Sequence, residues 1–513
     1  VKPDGTISLM QSSAVLLNDV GTARELRARL LSEFVVEEVI NLAPLRYVLF
    51  SSASKATAPP AIVTMRLSRN NEATDDFIYM CPKPARTVED GYRLIISPYD
   101  VHTVRAKEVL FGRNALTTLL WGSRRDVTLL GKLSFLPTLQ GMKKTGEVIT
   151  REGVIRGNHQ KEQPTIVGRK MLESPNFPDS AFLTLNPATL PTNTNPKTDS
   201  RASTNFAAFA APQLLIKQSW MRINRRFRAA RIVPPGQLGV LCSQSYVSVS
   251  SRAENEKFLD AACLVYNSSF ALYWLYLTNH RLASFIAEAT VTDLLQVPLP
   301  TLKDKDLLAV GGFAEVDEHV RAALGLQEAD WSLVSDFFNY TLPDFKQLPN
   351  APGERPTDQK DSDELLRYCN YLLPVLEAAF DDTERFAATI FREDGPEFLA
   401  VRLVAIHLDR FDNQRIRFEK IASPLLFQKL QELEGTIRVK PPESGGITFQ
   451  RVVRVYSHYD TGRRRVPTLF IIKPDQAKYW TASAGMRDAD EAFSEIILWE
   501  DSKEETAAAR EDV

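Results

Sequence analysis

Apolar and polar residues in the first part of the chain follow an order that predicts strand, helix, strand and strand. Val1–Met10 reads as a turn that leads into a buried strand, and the apolar spacing from Thr22 to Glu33 predicts a helix. Phe34–Leu42 and Ala61–Met65 have the apolar, β-branched composition of strands. This order is typical of the last elements of a doubly wound α/β sheet, so we expect the earlier strands of that sheet to lie elsewhere.

Apolar runs return after a long irregular stretch in the middle of the chain. Glu173–Thr204 is rich in Pro, Asn and Thr, which predicts an extended loop. Gln213–Lys217 and Gly239–Val249 have the alternation of strands, and an apolar helix is expected from Asn255 to Thr278. A mixed α+β domain therefore follows the first sheet.

The last part of the chain predicts helices and then a second α+β region. Helical patterns run from Pro300 to Asp344 and from Glu364 to Ala379, with a polar linker between them. The later segments that predict strands are Phe398–Leu408, Ile447–Val455 and Thr468–Ile472. We expect an incomplete α/β domain at 1–75, a connector at 76–150, an α+β recognition domain at 151–300, a helical segment and linker at 301–363, an α+β domain at 364–500 and a disordered tail at 501–513.

The local distribution of charge says more than the total. The 513 residues are too many for a single core, and 44% hydrophobic with 25% charged residues is ordinary for a folded chain. The net charge is only -2, yet no Asp or Glu occurs between Ser200 and Ala253. The cations of that window are Arg201, Lys217, Arg222, Arg225, Arg226, Arg228, Arg231 and Arg252. A duplex presents a dense row of phosphates, so the window predicts contact with double-stranded DNA, although a solvated arginine face would have the same composition.

Candidates for DNA contact lie in this window. The cations would hold phosphates, while the amides of Asn224 and Gln244 can pair with adenine in the major groove. Tyr246 would stack on a base or, as is commoner for an aromatic residue beside a strand, belong to the core. The candidates are Lys217, Arg222, Asn224, Arg225, Arg226, Arg228, Arg231, Gln244 and Tyr246. A second basic turn, Gly462–Arg465, would touch phosphate or simply be a solvated hairpin tip.

Other chemistry is sparse. Four scattered cysteines without a Cys-x-x-Cys spacing indicate a reducing cytoplasm and no zinc site, and no apolar run is long enough to cross a membrane. A Pro-Asp pair at Pro343 and the Asp-x-Lys at Asp358 have a nuclease-like spacing, but the second lies in the polar linker, which argues against a metal site. His407, in an apolar strand, is expected to be a core residue rather than a catalytic base.

Several segments between Val1 and Pro300 keep the order and spacing of one family's motifs. The first set is Lys2–Leu9, Arg27–Leu31, Val36–Leu42, Phe50–Ser52 and Ala61–Met65. The second set is Pro212–Lys217, Phe227–Ala230, Leu241–Tyr246, Tyr266–Ser269 and Asp293–Pro300. The first set resembles the end of the methyltransferase domain, and the second the target-recognition domain, of adenine-specific DNA methyltransferases of the restriction-modification type. The resemblance implies the DNA-recognising, carboxyl-terminal part of such an enzyme.

The family also has groups that this sequence lacks. Its members bind S-adenosylmethionine through a Phe-x-Gly-x-Gly turn and hold the target amine with an (Asn/Asp)-Pro-Pro-(Tyr/Phe) turn. Neither turn occurs here, because the Pro-Pro pairs that begin at Pro59, Pro234 and Pro441 lack the flanking residues. The resemblance therefore implies that an amino-terminal half or a separate subunit binds the donor and transfers the methyl group. No catalytic, cofactor-binding or metal-binding residue is expected in this chain.

Two other functions fit the same sequence. The chain would be a non-catalytic DNA-binding specificity subunit of a restriction-modification or defence complex, or a defence protein that kept the fold without the activity. The predicted sheet elements favour the methyltransferase, since a pure recognition module has no use for half of that sheet. A restriction nuclease or defence-system proteins are further candidate partners.

Overall fold

The chain forms two structural units. In the computed structural model the first unit comprises Val1–Pro84 with His102–Val334, and the second comprises Ala85–Val101 with Ser335–Val513. The structure describes residues 5–18, 21–45, 59–68, 74–84, 94–112, 114–157, 159–199, 206–220, 225–234, 238–284, 289–302, 310–345, 351–357, 363–382, 384–393, 401–411, 413–437 and 452–511.

Strands and helices occur in both units. The strands are β1 Thr6–Ser12, β2 Phe34–Asn41, β3 Pro60–Leu67, β4 Asp76–Met80, β5 Lys83–Pro84, β6 Leu94–Ile95, β7 Val101–Arg105, β8 Val148–Glu152, β9 Gln160–Glu162, β10 Met171–Leu172, β11 Thr184–Leu185, β12 Lys197–Asp199, β13 Gln213–Lys217, β14 Ala229–Ile232, β15 Leu241–Cys242, β16 Tyr246–Ser251, β17 Ala387–Glu393, β18 Val401–His407, β19 Ile416–Ile421, β20 Val453–Asp460 and β21 Arg465–Pro474. The helices are α1 Ala14–Leu17, α2 Gly21–Glu33, α3 Ala106–Phe111, α4 Ala115–Leu119, α5 Arg124–Leu133, α6 Leu139–Thr145, α7 Glu256–Asn267, α8 Ser269–Thr278, α9 His280–Ala283, α10 Val291–Leu294, α11 Phe313–Ala323, α12 Glu328–Asp336, α13 Leu342–Phe345, α14 Asp363–Phe380, α15 Ser423–Ile437 and α16 Ala482–Glu511.

The first sheet has the order β1-β3-β2-β4-β7. Strand β3 runs antiparallel to both β1 and β2, so β1 and β2 are parallel to each other and are connected through α2, while β4 runs parallel to β2. The predicted order of strand, helix, strand and strand is confirmed. Strands β4 and β7 also join this sheet, although the sequence placed them in a connector.

Strand β1 differs from its prediction in burial. It was expected to be buried, but Leu9 is 47% exposed and Met10 is 69% exposed. The reason is its position at the edge of the sheet, where β3 is its neighbour on one side in the described part of the chain. The core of this sheet is formed instead by β2, β3 and β4, with Val39, Val63 and Tyr79 at its centre.

The second sheet, also in the first unit, has the order β11-β14-β13-β16-β8. Every residue of β13 is buried, and α7 packs against β13 and β14. The strand predicted at Gly239–Val249 is two strands, because a turn at 243–245 separates β15 from β16. The helix predicted at Asn255–Thr278 is likewise two helices, since Ser268 has extended backbone angles, φ −86° and ψ 163°.

The second unit contains the third sheet, of order β19-β17-β18-β21-β20. Helices α14 and α16 cover one face, which contains Ile390, Val404 and Ile471, and α15 covers the other. Strands β17 and β19 were not predicted. Helix α16 continues to Glu511 through residues with high helix propensity, so the segment predicted as a disordered tail is helical where the structure describes it.

At the coarsest level the chain is a mixed α/β protein of two units, and the residues that the structure describes form three five-stranded sheets. None of the helices that the structure describes is long and apolar enough to cross a bilayer.

Candidate nucleic-acid interface

The basic window predicted from sequence lies on the second sheet of the first unit. Lys217 ends β13, Arg231 lies on β14 and Tyr246 begins β16. Lys217 and Tyr246 are directly opposite each other in the β13–β16 ladder, and Leu214 is opposite Arg231 in the β13–β14 ladder. The structure thus brings cations that are distant in sequence to neighbouring strands.

Two arginines of the window are buried and neutralised by carboxylates. Arg226 makes a paired contact with Asp317, with Nη1 to Oδ1 at 2.8 Å and Nη2 to Oδ2 at 2.6 Å. Arg231 donates from Nε to Asp260 Oδ1 at 2.8 Å and from Nη2 to Glu256. Arg226 is 7% exposed and Arg231 is 3% exposed. Both arginines therefore connect the sheet to helices α7 and α11, and these contacts account for their charge without a bound ligand.

Lys217 and Arg228 are also buried but have no carboxylate partner among the described residues. Lys217 Nζ donates to Asn176 Oδ1 at 2.7 Å. Arg228 donates from Nε to Asn267 Oδ1 at 3.0 Å and from Nη2 to the carbonyl oxygens of Ala181 and Phe182 at 2.7 and 3.0 Å. Burial lowers the pKa of Lys217, and the charge of Arg228 lowers it further. Burial also lowers the pKa of Arg228.

Tyr246 lies beside these two cations and is fully buried. Its ring packs edge-on against Phe177 at a centroid distance of 5.0 Å, as expected of a core residue. Its hydroxyl has no hydrogen-bond partner among the described residues, and burial raises its pKa, so the proton is retained. We call Lys217, Arg228 and Tyr246 the uncompensated cluster. It holds two positive charges and an unused hydroxyl donor in a low-dielectric setting.

The remaining predicted residues divide between the surface and the part of the chain that is not described. Gln244 is exposed in the turn before β16, and its carbonyl accepts a hydrogen bond from Gln218 Nε2 at 2.8 Å. Arg225 is half-buried with a left-handed φ of 51°, and burial lowers its pKa. Arg222 and Asn224 lie outside the described residues. DNA contact by the predicted residues stays a prediction.

Sequence reasoning did not single out two further arginines of the same unit. The guanidinium of Arg151 lies 4.2 Å from the ring centroid of Phe206 and 5.5 Å from that of Phe209. Arg169 donates to the Phe209 carbonyl at 2.8 Å, and its Nε has no partner in the described structure. Burial lowers the pKa of both arginines. They precede the acid-free window, so its charge pattern gave no signal for them.

His407, the histidine considered as a base, is a core residue in the second unit, as predicted. It is fully buried, with Nε2 at 2.7 Å from Thr389 Oγ1 and Nδ1 at 3.0 Å from Thr468 Oγ1. Burial, with a smaller effect of Arg417, lowers its pKa from 6.5 to about 3. The folded protein therefore keeps this ring neutral.

Acidification is expected to destabilise the second unit through His407. As the pH falls below 6.5, the unfolded chain binds a proton at His407, whereas the folded chain keeps this ring neutral until about pH 3. The free energy of unfolding therefore decreases as the pH falls from 6.5 to about 3. The loss at pH 5 is roughly 2 kcal/mol. Urea unfolding at pH 7 and pH 5 measures it, and a His407→Gln variant should lose correspondingly less between the two values. An equal loss in both proteins would assign the pH dependence to other groups.

Metal-binding geometry does not emerge in the described part of the chain. No group of three or more His, Cys, Asp or Glu side chains there is placed to hold a metal ion. Of the nuclease-like spacing, Asp358–Lys360 lies outside the described residues.

Comparisons with known proteins give a distant likeness among solved structures. No protein-family model matches the chain, and no curated protein matches it. Among solved structures it is similar to the type IIG restriction endonuclease BpuSI, with 12% sequence identity and a TM-score of 0.23. The match covers 62% of this chain and 42% of that enzyme, so the chain corresponds to less than half of its length.

Proposed function

We propose that this chain is the DNA-recognition portion of a site-specific adenine DNA methyltransferase of a restriction-modification system. The sequence resemblance between Val1 and Pro300 supports it, as does the order of strands and helix in the first sheet. Edge strand β1 has only β3 as a neighbour in the described part of the chain, and a strand from the catalytic half of the enzyme would pair with its other edge.

The observation that carries the proposal is the uncompensated cluster. A buried cation without a carboxylate is costly, and such groups are retained where a ligand supplies the missing negative charge. Asn176, which accepts the hydrogen bond of Lys217, is itself exposed. A phosphate that replaced the Asn176 oxygen would meet the Lys217 ammonium at the surface, with Arg228 behind it. DNA phosphate is the anion that the resemblance to a target-recognition domain favours.

The methyl donor is proposed to bind outside this chain. The family's donor-binding and catalytic turns are absent from the sequence. We therefore assign no catalytic step to this chain and propose that S-adenosylmethionine binds to the amino-terminal half or to a partner subunit. The four buried free cysteines support a reducing, cytoplasmic location.

An Asn176→Asp variant tests the role of the cluster with little change in shape. The new carboxylate would neutralise Lys217, so we expect duplex affinity to fall on the order of 10-fold near physiological salt and the salt slope to drop by about 0.9. Fluorescence anisotropy with a labelled duplex measures both quantities.

Asn186→Asp is the matched control. Asn186 is another exposed asparagine of the same unit, and its Oδ1 accepts from the Ala188 amide at 2.9 Å. This variant adds the same charge away from Lys217 and should bind nearly as the wild type. Equal duplex affinities of the wild type and both variants would show that the uncompensated cluster does not contact DNA.

A further inference from the structure

The second unit carries a basic hairpin that extends beyond the rest of its sheet. Strands β20 and β21 remain paired to Asp460 and Arg465, whereas the ladder between β18 and β21 ends at His407 and Thr468. The Leu408 amide still donates to the Pro467 carbonyl at 2.9 Å, so two residues of β21, Arg465 and Val466, extend past this pairing, a length of about 7 Å at roughly 3.3 Å per residue. We call Asp460–Arg465 the arginine hairpin.

The turn of this hairpin is held by its own hydrogen bonds. Thr461 donates from its amide and its hydroxyl to the Arg464 carbonyl at 3.1 and 2.9 Å, and the Arg464 amide donates back to Thr461 Oγ1 at 3.0 Å. The Gly462 amide donates to Asp460 Oδ1 at 2.7 Å, and Gly462 adopts a φ of 75°, which favours glycine. The arginines that follow are thus presented on an ordered turn.

The hairpin displays three consecutive exposed arginines, Arg463, Arg464 and Arg465. None of them forms an ion pair with a carboxylate in the described part of the chain, and Arg464 Nη2 donates to the Arg410 carbonyl at 3.0 Å. The acid of the turn, Asp460, is engaged by the Gly462 amide. The tip therefore combines positive charge with unused guanidinium donors.

We infer that the arginine hairpin binds the phosphate backbone of duplex DNA. Guanidinium groups match phosphate oxygens with paired donors, and the tip contains Arg and no Lys. A two-stranded β-ribbon also has the width that a DNA major groove admits. The sequence Asp-Thr-Gly-Arg-Arg-Arg has no apolar side chain, which argues against insertion into a lipid surface. This contact lies on the second unit and does not rest on the uncompensated cluster.

An Arg463→Gln/Arg464→Gln/Arg465→Gln variant of the full chain tests the inference. Because the side chains are exposed, the variant should fold as the wild type does, which circular dichroism checks. The slope of log affinity against log salt should fall by about 2 to 3, and duplex affinity should drop by at least about 10-fold near physiological salt. The corresponding triple lysine variant keeps the charge and should keep most of the slope.

Several outcomes would overturn the inference. Unchanged affinity and slope in the glutamine variant would do so, as would polyglutamate competing as well as a duplex of equal charge. Loss of binding in Asn176→Asp with no change in the glutamine variant would leave the proposed function standing and reject the hairpin. Loss of binding in the glutamine variant with no change in Asn176→Asp would reject DNA contact by the uncompensated cluster and support DNA contact by the arginine hairpin.

Discussion

Replacing Asp317 with alanine is expected to destabilise the first unit by about 3 to 5 kcal/mol. The variant would leave the buried Arg226 guanidinium without its carboxylate and would also remove the acceptor of the Ser269 amide, at 2.8 Å, at the start of α8. A buried charge that loses its partner cannot recover the hydration it gave up. Urea unfolding of the full chain, followed by circular dichroism, measures the change.

The double variant Arg226→Met/Asp317→Asn is the informative comparison. It removes the buried charge and keeps an oxygen acceptor for Ser269, so it should recover most of the lost stability. If Asp317→Ala were as stable as the wild type, Arg226 would not depend on this partner and would again be a candidate for DNA contact.

Asp488→Ala is expected to have an effect of similar size in the second unit, about 3 to 5 kcal/mol. Asp488 is fully buried and accepts a hydrogen bond from the Tyr99 hydroxyl at 2.6 Å, and others from Tyr368 and Lys473. Lys473 is fully buried too, and burial lowers its pKa to about 8 despite the neighbouring carboxylate. Without Asp488 the Lys473 ammonium would lose the carboxylate that accepts its hydrogen bond, and the hydroxyls of Tyr99 and Tyr368 would lose their acceptor.

Asp490→Ala supplies the control for this prediction. Asp490 is exposed on the same helix, and replacing an exposed side chain normally changes stability by no more than about 0.5 kcal/mol. Unfolding both variants in urea compares them directly. Equal stability of Asp488→Ala and Asp490→Ala would show that the buried pair contributes little.

Sequence periodicity identified elements whose burial repeats regularly. Helix α2 and strands β2, β3 and β13 were predicted within a few residues of their ends. Strand β19 was missed although Ile416–Ile421 alternates apolar and charged residues, the pattern of a half-buried edge strand. The break at Ser268 was missed although Asn267, Ser268 and Ser269 interrupt the apolar run there. Polar residues also occur within continuous helices, so the local pattern does not record where a backbone turns.

The candidate site was harder to predict because the neutralisation of each cation depends on residues that are distant in the sequence. The acid-free window correctly marked a concentration of cations, but the acids that neutralise Arg226 and Arg231 come from helices beyond it, at Asp317, Asp260 and Glu256. Contacts between residues 25 to 91 positions apart leave no trace in local composition. Among the described residues no carboxylate lies beside Lys217, and this too is visible only in the fold.

The most direct test of DNA recognition is the salt dependence of duplex binding by the full wild-type chain. The uncompensated cations predict a Kd at or below about 10⁻⁶ M at roughly 50 mM salt, and an affinity that falls steeply as salt rises to about 200 mM. Binding that is absent at low salt, or that does not change over this range, would contradict the account.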